Sequence, residues 1–208
     1  MNPLRPNPSA IREAVRVLDA DGVVMYPTES SYALGVNALR ETAISKIFEA
    51  KQRSLGRSIP VIVSDLRMWR KYACLDETAE ILVREFMPGP LTLALRKRTS
   101  VPDLLNPLAI AARIPGHPVA LALVRAAKYP ITSTSANISG APPVFSPKTA
   151  PRVLRSAIDL VLDVGTLRRR KPSTIVDFTI RGQPSVTRSG AISASAILRV
   201  LAQRRGER

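Results

Sequence analysis

The segment Ser133-Thr134-Ser135-Ala136-Asn137-Ile138-Ser139-Gly140 gathers hydroxyls, an amide and a glycine just after an apolar run ending at Tyr129-Pro130-Ile131. Short polar side chains at the end of a strand supply neutral donors at close range, which suits a phosphate or a carboxylate. About eighty residues earlier, Lys51-Gln52-Arg53 sets two cations one residue apart, at the end of a predicted helix. A hydroxyl-rich loop with a fixed Lys/Arg pair reads as an anion site for a nucleotide. Neither piece is specific by itself, because Ser/Asn/Gly clusters also form plain turns.

Other segments repeat this chemistry. Pro27-Thr28-Glu29-Ser30-Ser31-Tyr32-Ala33-Leu34-Gly35 leaves a strand with hydroxyls, a carboxylate and a phenol, a set able to orient a small polar ligand such as an amino acid. Arg113 precedes the rigid turn Ile114-Pro115-Gly116-His117-Pro118, and a planar guanidinium there can fork onto a carboxylate or phosphate. His117, between Gly116 and Pro118, is expected to fix the turn rather than to move protons. Ser173-Thr174-Ile175-Val176-Asp177 and Thr187-Arg188-Ser189-Gly190 again put hydroxyls and a cation at strand ends. Arg168-Arg169-Arg170-Lys171 is a run of cations that reads as a solvated loop or an RNA contact. Neither the Gly-x-x-x-x-Gly-Lys-Ser/Thr loop nor the Gly-x-Gly-x-x-Gly turn occurs, so a nucleotide must be held in another way.

Composition narrows the classes. The 208 residues fit one domain with a sizeable core, and 45% hydrophobic with 23% charged residues is ordinary for a globular chain. A net charge of +15, from 31 basic against 16 acidic residues, favours anionic partners such as nucleotides or RNA. Cys74 is the only cysteine and His117 the only histidine, which removes an intrachain disulfide, a cysteine zinc site and a histidine metal cluster and argues against a Ser-His-Asp site. No protein metal site is expected, and Cys74 reads as a buried, inert thiol. No run approaches the ~18 apolar residues of a membrane span and no secretory leader heads the chain, so a cytoplasmic protein without membrane contact is expected.

These groups need a scaffold. Residues 1–8 read as an extended lead-in, after which Ser9 can cap a helix carrying Ile11, Ala14, Val15 and Leu18. Strands are expected at 23–26, 60–63, 91–95, 109–114, near 131, 160–162, 174–178 and 185–187. Helices are expected around 44–48, 66–72, 78–86 and 119–127, with a last one capped by Ser193 and bearing Ala196, Ile197, Val200 and Leu201. Residues 28–35 read as loop, Leu91, Leu93 and Leu95 as the buried side of a half-buried strand, and 204–208 as a frayed tail. The pattern predicts an α/β fold over 1–208 with an open, twisted mixed sheet and helices on its faces.

In this order the segments resemble the YrdC-like family of L-threonylcarbamoyladenylate synthases. The resemblance rests on Pro-Thr-Glu with Tyr-x-Leu-Gly, Lys-x-Arg, Pro88-Gly89-Pro90-Leu91-Thr92, Arg-x-Pro-x-His-Pro, Ser-x-Asn-x-Ser-Gly, Ser-Thr-Ile-Val-Asp and a late Arg-Ser-Gly. It implies a single-domain form with a basic concave cleft. It also implies a nucleotidyltransferase that makes threonylcarbamoyl-AMP and pyrophosphate from ATP, bicarbonate and L-threonine, with Mg2+ on the phosphates. Downstream threonylcarbamoyl-transferase proteins then modify tRNA, and direct contact with tRNA or double-stranded RNA is a further implied property. By position, the resemblance makes Lys51 and Arg53 the catalytic cations. It puts Thr28, Ser31, Tyr32, Arg113 and Ser173 on the L-threonine side, and Arg53, Ser133, Ser135, Asn137 and Arg188 on the nucleotide side.

Fixed cations and neutral donors suit this chemistry, since it asks for positioning and charge stabilisation rather than a side-chain nucleophile. The chain departs from the family pattern at several places. Ser54 to Pro60 replaces the usual continuation after Lys-x-Arg, Ser64 lies near an expected histidine, Ala109 replaces a threonine and Met87 a tryptophan. Those departures and the charge leave an alternative reading, an RNA-binding or accessory protein of the same fold without synthase activity.

Overall fold

The computed structural model describes residues 2–180 and 184–203, so the expected frayed tail 204–208 lies outside the described residues. β1 (Asn2–Leu4) is the extended lead-in, and α1 (Pro8–Asp19) follows. Its cap is Asn7 rather than Ser9: Pro8 needs no N–H partner and takes the first helical position, and Asn7 accepts from Ala10 N at 2.8 Å. β2 (Val24–Pro27) and β3 (Tyr32–Gly35) form an antiparallel pair. The segment 32–35, expected as loop, is therefore a fully buried strand, and only 28–31 is the connection.

α2 (Glu41–Lys51) ends because Gln52 takes φ 48°, ψ 45°, a left-handed C-cap. β4 (Val61–Ile62), α3 (Leu66–Arg70) and α4 (Glu77–Phe86) come next. β5 (Leu91–Arg96) and β6 (Ala109–Arg113) pair antiparallel, and α5 (Pro118–Ala127) leads to β7 (Ile131–Thr132) and β8 (Thr134–Ser135). The chain closes with α6 (Arg152–Ala157), β9 (Leu160–Leu162), β10 (Thr174–Asp177), β11 (Ser185–Arg188) and α7 (Ala194–Gln203). Ser193 caps α7 as expected, accepting from Ala196 N at 3.2 Å. The short β8 and α6 carry too few residues for a periodic signal.

The α/β class, mixed pairing and flanking helices match the expectation, but the strands divide into two sheets rather than one. One runs β1-β9-β2-β3-β8 and the other β11-β10-β5-β6-β4-β7. They meet where Val36 and Ala38 run beside β7, with Thr132 N donating to Val36 O at 3.1 Å and Ala38 N to Pro130 O at 3.0 Å. α1 packs on α5 and β9, and α4 on α7 and β5, enclosing a core that runs from Ala10 to Ile197. Leu91, Leu93 and Leu95 on β5 are buried as expected, while on its other face burial falls from Thr92, fully buried, through Ala94, partly buried, to the exposed Arg96. Cys74 is exposed, which corrects the expectation of a buried thiol. Its backbone N–H reaches Arg96 O at 2.9 Å, at the margin where the chain leaves α3 for α4. Among the described residues no helix is long and apolar enough to cross a membrane.

Candidate active site

Strand alternation lays out a cleft of about 780 Å³ on one face of the six-stranded sheet. Along β10 and its continuation, Ser173, Ile175, Asp177 and Thr179 all line it, while Thr174 and Val176 are fully buried on the opposite face. On β6, Ala109, Ala111 and Arg113 line it in the same alternation. The register makes these side chains into rows. Ile175 lies beside Thr92, and the next row joins Asp177, Ala94 and Ala111. The loop Ser133 to Ser135 and the connection Thr28 to Ser31 form the facing wall.

The guanidiniums converge at one end. Arg113 is only 7% exposed and donates to Ser133 Oγ at 2.9 Å. Arg188 grips the start of β10, donating through Nε and Nη2 to Ser173 O at 3.0 and 2.8 Å and through Nη2 to Ser173 Oγ at 2.9 Å. Ser173 Oγ in turn lies 2.8 Å from Thr92 Oγ1. Burial, and then the facing Arg113 charge, lower the Arg188 pKa. Two cations brought together in this way favour an anion between them.

A third guanidinium, Arg53, lines the same cleft. It donates through Nη2 to Ser58 O at 2.9 Å, while its Nε is buried with no partner among the described residues. Burial followed by the Arg57 charge lowers its pKa. A donor left unpaired in this position is costly unless a ligand satisfies it. The only carboxylate among the cleft-lining residues is Asp177.

Gly190 explains why a glycine follows Arg188-Ser189. A Cβ there would lie 2.3 Å from Pro172 O and 2.5 Å from Ser173 C, so only glycine lets this strand end pass over Ser173. Its N–H donates to Thr174 Oγ1 at 3.1 Å. The Arg-Ser-Gly and Ser-Thr motifs are thus two halves of one clasp that aims Arg188.

Lys-x-Arg works differently from its sequence reading. The left-handed Gln52 sends the flanking cations apart: Arg53 reaches the cleft, and Lys51 is buried behind the hydroxyl loop. Lys51 Nζ donates to the Ser135 carbonyl, to Asn137 O at 2.6 Å and to Asn137 Oδ1 at 3.1 Å. Burial, with Arg53 close by, brings its pKa down to about 8. All three of its donors are spent on protein acceptors, so the structure gives it the role of holding the loop. Asn137 is part of the same anchor, accepting from Ser135 Oγ and donating to the Ala141 carbonyl, and does not line the cleft.

Tyr32 is likewise set apart. Its hydroxyl donates to Gly165 O at 2.8 Å and accepts from Val164 N at 3.0 Å, pinning the turn at 163–165. Burial raises its pKa to about 12. Thr28 Oγ1 donates to Ser31 O at 2.7 Å, shaping the connection that brings Ser31 to the cleft. Eight of the residues singled out from sequence therefore line one cavity: Thr28, Ser31, Arg53, Arg113, Ser133, Ser135, Ser173 and Arg188. Lys51, Tyr32 and Asn137 stand behind its walls.

Ser64 does not line the cleft. It is buried and donates to Asp65 Oδ2 at 2.8 Å, at the cap of α3. Glu29 Oε1 accepts from Gly116 N at 2.6 Å, tying the 28–31 connection to the turn after Arg113. His117 serves that turn, as expected: Nδ1 accepts from Val119 N at 3.2 Å, and burial lowers its pKa, keeping the ring a neutral acceptor. Asp177 and Arg170 also line the cleft and were not assigned to it from sequence. The two-residue alternation of 173, 175, 177 and 179 was the available signal for Asp177; no periodic signal exists for Arg170 in its loop.

Comparison with known proteins concerns the sequence and the overall fold. The sequence profile of the Sua5/YciO/YrdC family, described as telomere recombination, matches residues 16–190. The threonylcarbamoyl-AMP synthase of Pyrococcus abyssi is 34% identical over 196 residues, covering 93% of this chain but 57% of that protein. The structure of P. abyssi Sua5 complexed with L-threonine superposes with a TM-score of 0.88 at 34% identity, over 96% of this chain and 59% of that one. Escherichia coli YciO, an uncharacterised protein, superposes at 0.81 with 29% identity over 95% and 96% of the two chains. The chain thus spans less than two thirds of the synthase and nearly all of YciO. By sequence and fold, this protein belongs to the Sua5/YciO/YrdC family.

Proposed function

We propose that the chain is an L-threonylcarbamoyladenylate synthase, a nucleotidyltransferase of tRNA modification. The observation that carries this is that Arg53, Arg113 and Arg188 line one hydroxyl-walled cleft, Arg113 beside Arg188, with the Arg53 Nε buried and without a partner among the described residues. The P. abyssi relatives lend support, one named as such a synthase and one complexed with L-threonine.

In this reading the threonine amine captures bicarbonate as a carbamate, with loss of water. A carbamate oxygen attacks the α-phosphorus of ATP, the bond to the β-phosphate oxygen breaks, and pyrophosphate leaves with the electron pair. Arg113, bonded to Ser133, and Arg188, bonded to Ser173, hold carboxylate and phosphate in line and spread the developing charge. Arg53 takes a phosphate oxygen. Ser31 and Thr28 lie on the amino-acid side and Ser135 on the nucleotide side. Lys51, Asn137 and Tyr32 position these walls without touching substrate.

Among the described residues no group of three or more His, Cys, Asp or Glu side chains can hold a metal ion. Mg2+ therefore enters as MgATP, part of the substrate. Downstream transferase proteins carry the threonylcarbamoyl group to tRNA in the cytoplasm.

A second reading, an RNA-binding or accessory protein, draws on the exposed run Arg168 to Lys171, of which Arg170 reaches the cleft. One assay separates the two. Pyrophosphate release from MgATP and bicarbonate is measured with L-threonine, with L-serine and without amino acid. Threonine-dependent release is expected. Folded protein that binds RNA in a salt-dependent manner and releases no pyrophosphate with any amino acid overturns the synthase in favour of the second reading.

A further inference from the structure

We infer that Asp177 selects the base of the nucleotide, accepting a hydrogen bond from an exocyclic amine above a floor made by Ala94 and Ala111. The inference rests on the nucleotide reading above and concerns a residue that reading leaves without a role. Next to the row of Thr92 along β5, two residues further on, comes the row Asp177–Ala94–Ala111. Two residues along a strand span roughly 7 Å, which is the scale of a ribose between phosphate and base. Where the first row faces the arginine end, the second presents two methyl groups, flat enough for a planar heterocycle to lie on the sheet.

The edges of this floor carry one acceptor and one donor. Asp177 Oδ1 is already committed, accepting from Thr179 N at 2.7 Å and Thr179 Oγ1 at 2.6 Å. Oδ2 accepts from no described residue, and Asp177 lines the cleft. The carboxylate is thus held in one orientation by its own strand end, with a lone acceptor left for the cavity. Across β5, Asn106 Oδ1 accepts from Leu108 N and Ala109 N, both at 2.8 Å, which assigns its Nδ2 as a donor free for a ring nitrogen.

A fixed anionic acceptor accepts from an amine and repels a carbonyl at the same place. Adenine carries the amine; hypoxanthine carries an oxygen there and is otherwise the same shape. A site built to pair one group rejects the analogue lacking it, because both partners are then left unpaired.

The test is equilibrium binding of MgATP and MgITP to the full chain, with Asp177→Asn as the variant because its amide keeps an acceptor for Thr179. The wild type is expected to bind ATP ~10-fold or more tightly than ITP. Asp177→Asn, whose amide can donate to a carbonyl, is expected to bring the ratio to about one or invert it, with an unchanged melting temperature. Equal wild-type affinities, or a preference that survives in the folded variant, overturn the assignment while leaving the nucleotide reading in place. Failure of the wild type to bind either triphosphate overturns both.

Discussion

Replacing Lys51 with methionine tests whether the first cation of Lys-x-Arg acts through the loop or on the ligand. Methionine keeps the buried stem and removes only the ammonium. Asn137 O then loses its one partner among the described residues, whereas Ser135 O keeps the Asn137 N–H at 2.9 Å and Asn137 Oδ1 keeps Ser135 Oγ. One orphaned carbonyl and two weakened acceptors cost about 2–4 kcal/mol. Against this, holding the ammonium charged where its pKa is about 8 instead of 10.5 costs the wild type about 3 kcal/mol that the variant recovers. The two nearly cancel, so Lys51→Met is expected to shift unfolding by no more than about 2 kcal/mol either way. Function does not share that cancellation, because the segment 135–137 loses its anchor whatever the net stability. Nucleotide affinity is expected to fall by about tenfold or more, the equivalent of one charge-assisted hydrogen bond. The assay is urea unfolding paired with isothermal titration of MgATP and L-threonine, the larger loss falling on the nucleotide. Folded Lys51→Met that binds MgATP within about twofold of wild type refutes the anchoring argument.

The same lysine sets a pH dependence. Its folded pKa lies below its unfolded one, so between about 8 and 10.5 the unfolded chain holds more protons and this group's contribution to stability rises with pH. Nucleotide affinity moves the opposite way, falling above about pH 8 as the ammonium loses its third donor. Comparing wild type with Lys51→Met across pH 7–10 checks both signs, and parallel curves for the two proteins would remove Lys51 as their cause. Gly190→Ala drives a methyl into Pro172 O and the Ser173 backbone, which cannot rotate away. It is expected to cost about 1–3 kcal/mol in urea unfolding and to weaken nucleotide binding by releasing Arg188 from Ser173. A variant as stable and as tight-binding as its parent is the outcome that excludes this close approach.

The linear order of residues determined much here, because some chemistry is local. Seven short motifs in one order fixed the family, and the alternation of apolar residues found most strands and helices, since periods of two and 3.6 are properties of the backbone itself. The turn role of His117 and the cap at Ser193 were legible for the same reason. What the order could not supply was direction. Lys51 and Arg53 look equivalent on paper, and only the left-handed Gln52, with the hydroxyl loop returning over α2 from more than eighty residues away, sends one cation behind the wall and the other into the cleft. Tyr32 looked like a ligand-facing phenol because its strand is four residues long and buried throughout, giving no alternation to read. Asp177 passed as the last letter of a motif until β5 and β6 came alongside and placed it beside two alanines. Sequence fixes which groups are available and which backbone states they favour. Which side of a wall each group faces follows from long-range strand register, and that is decided only when the sheets assemble.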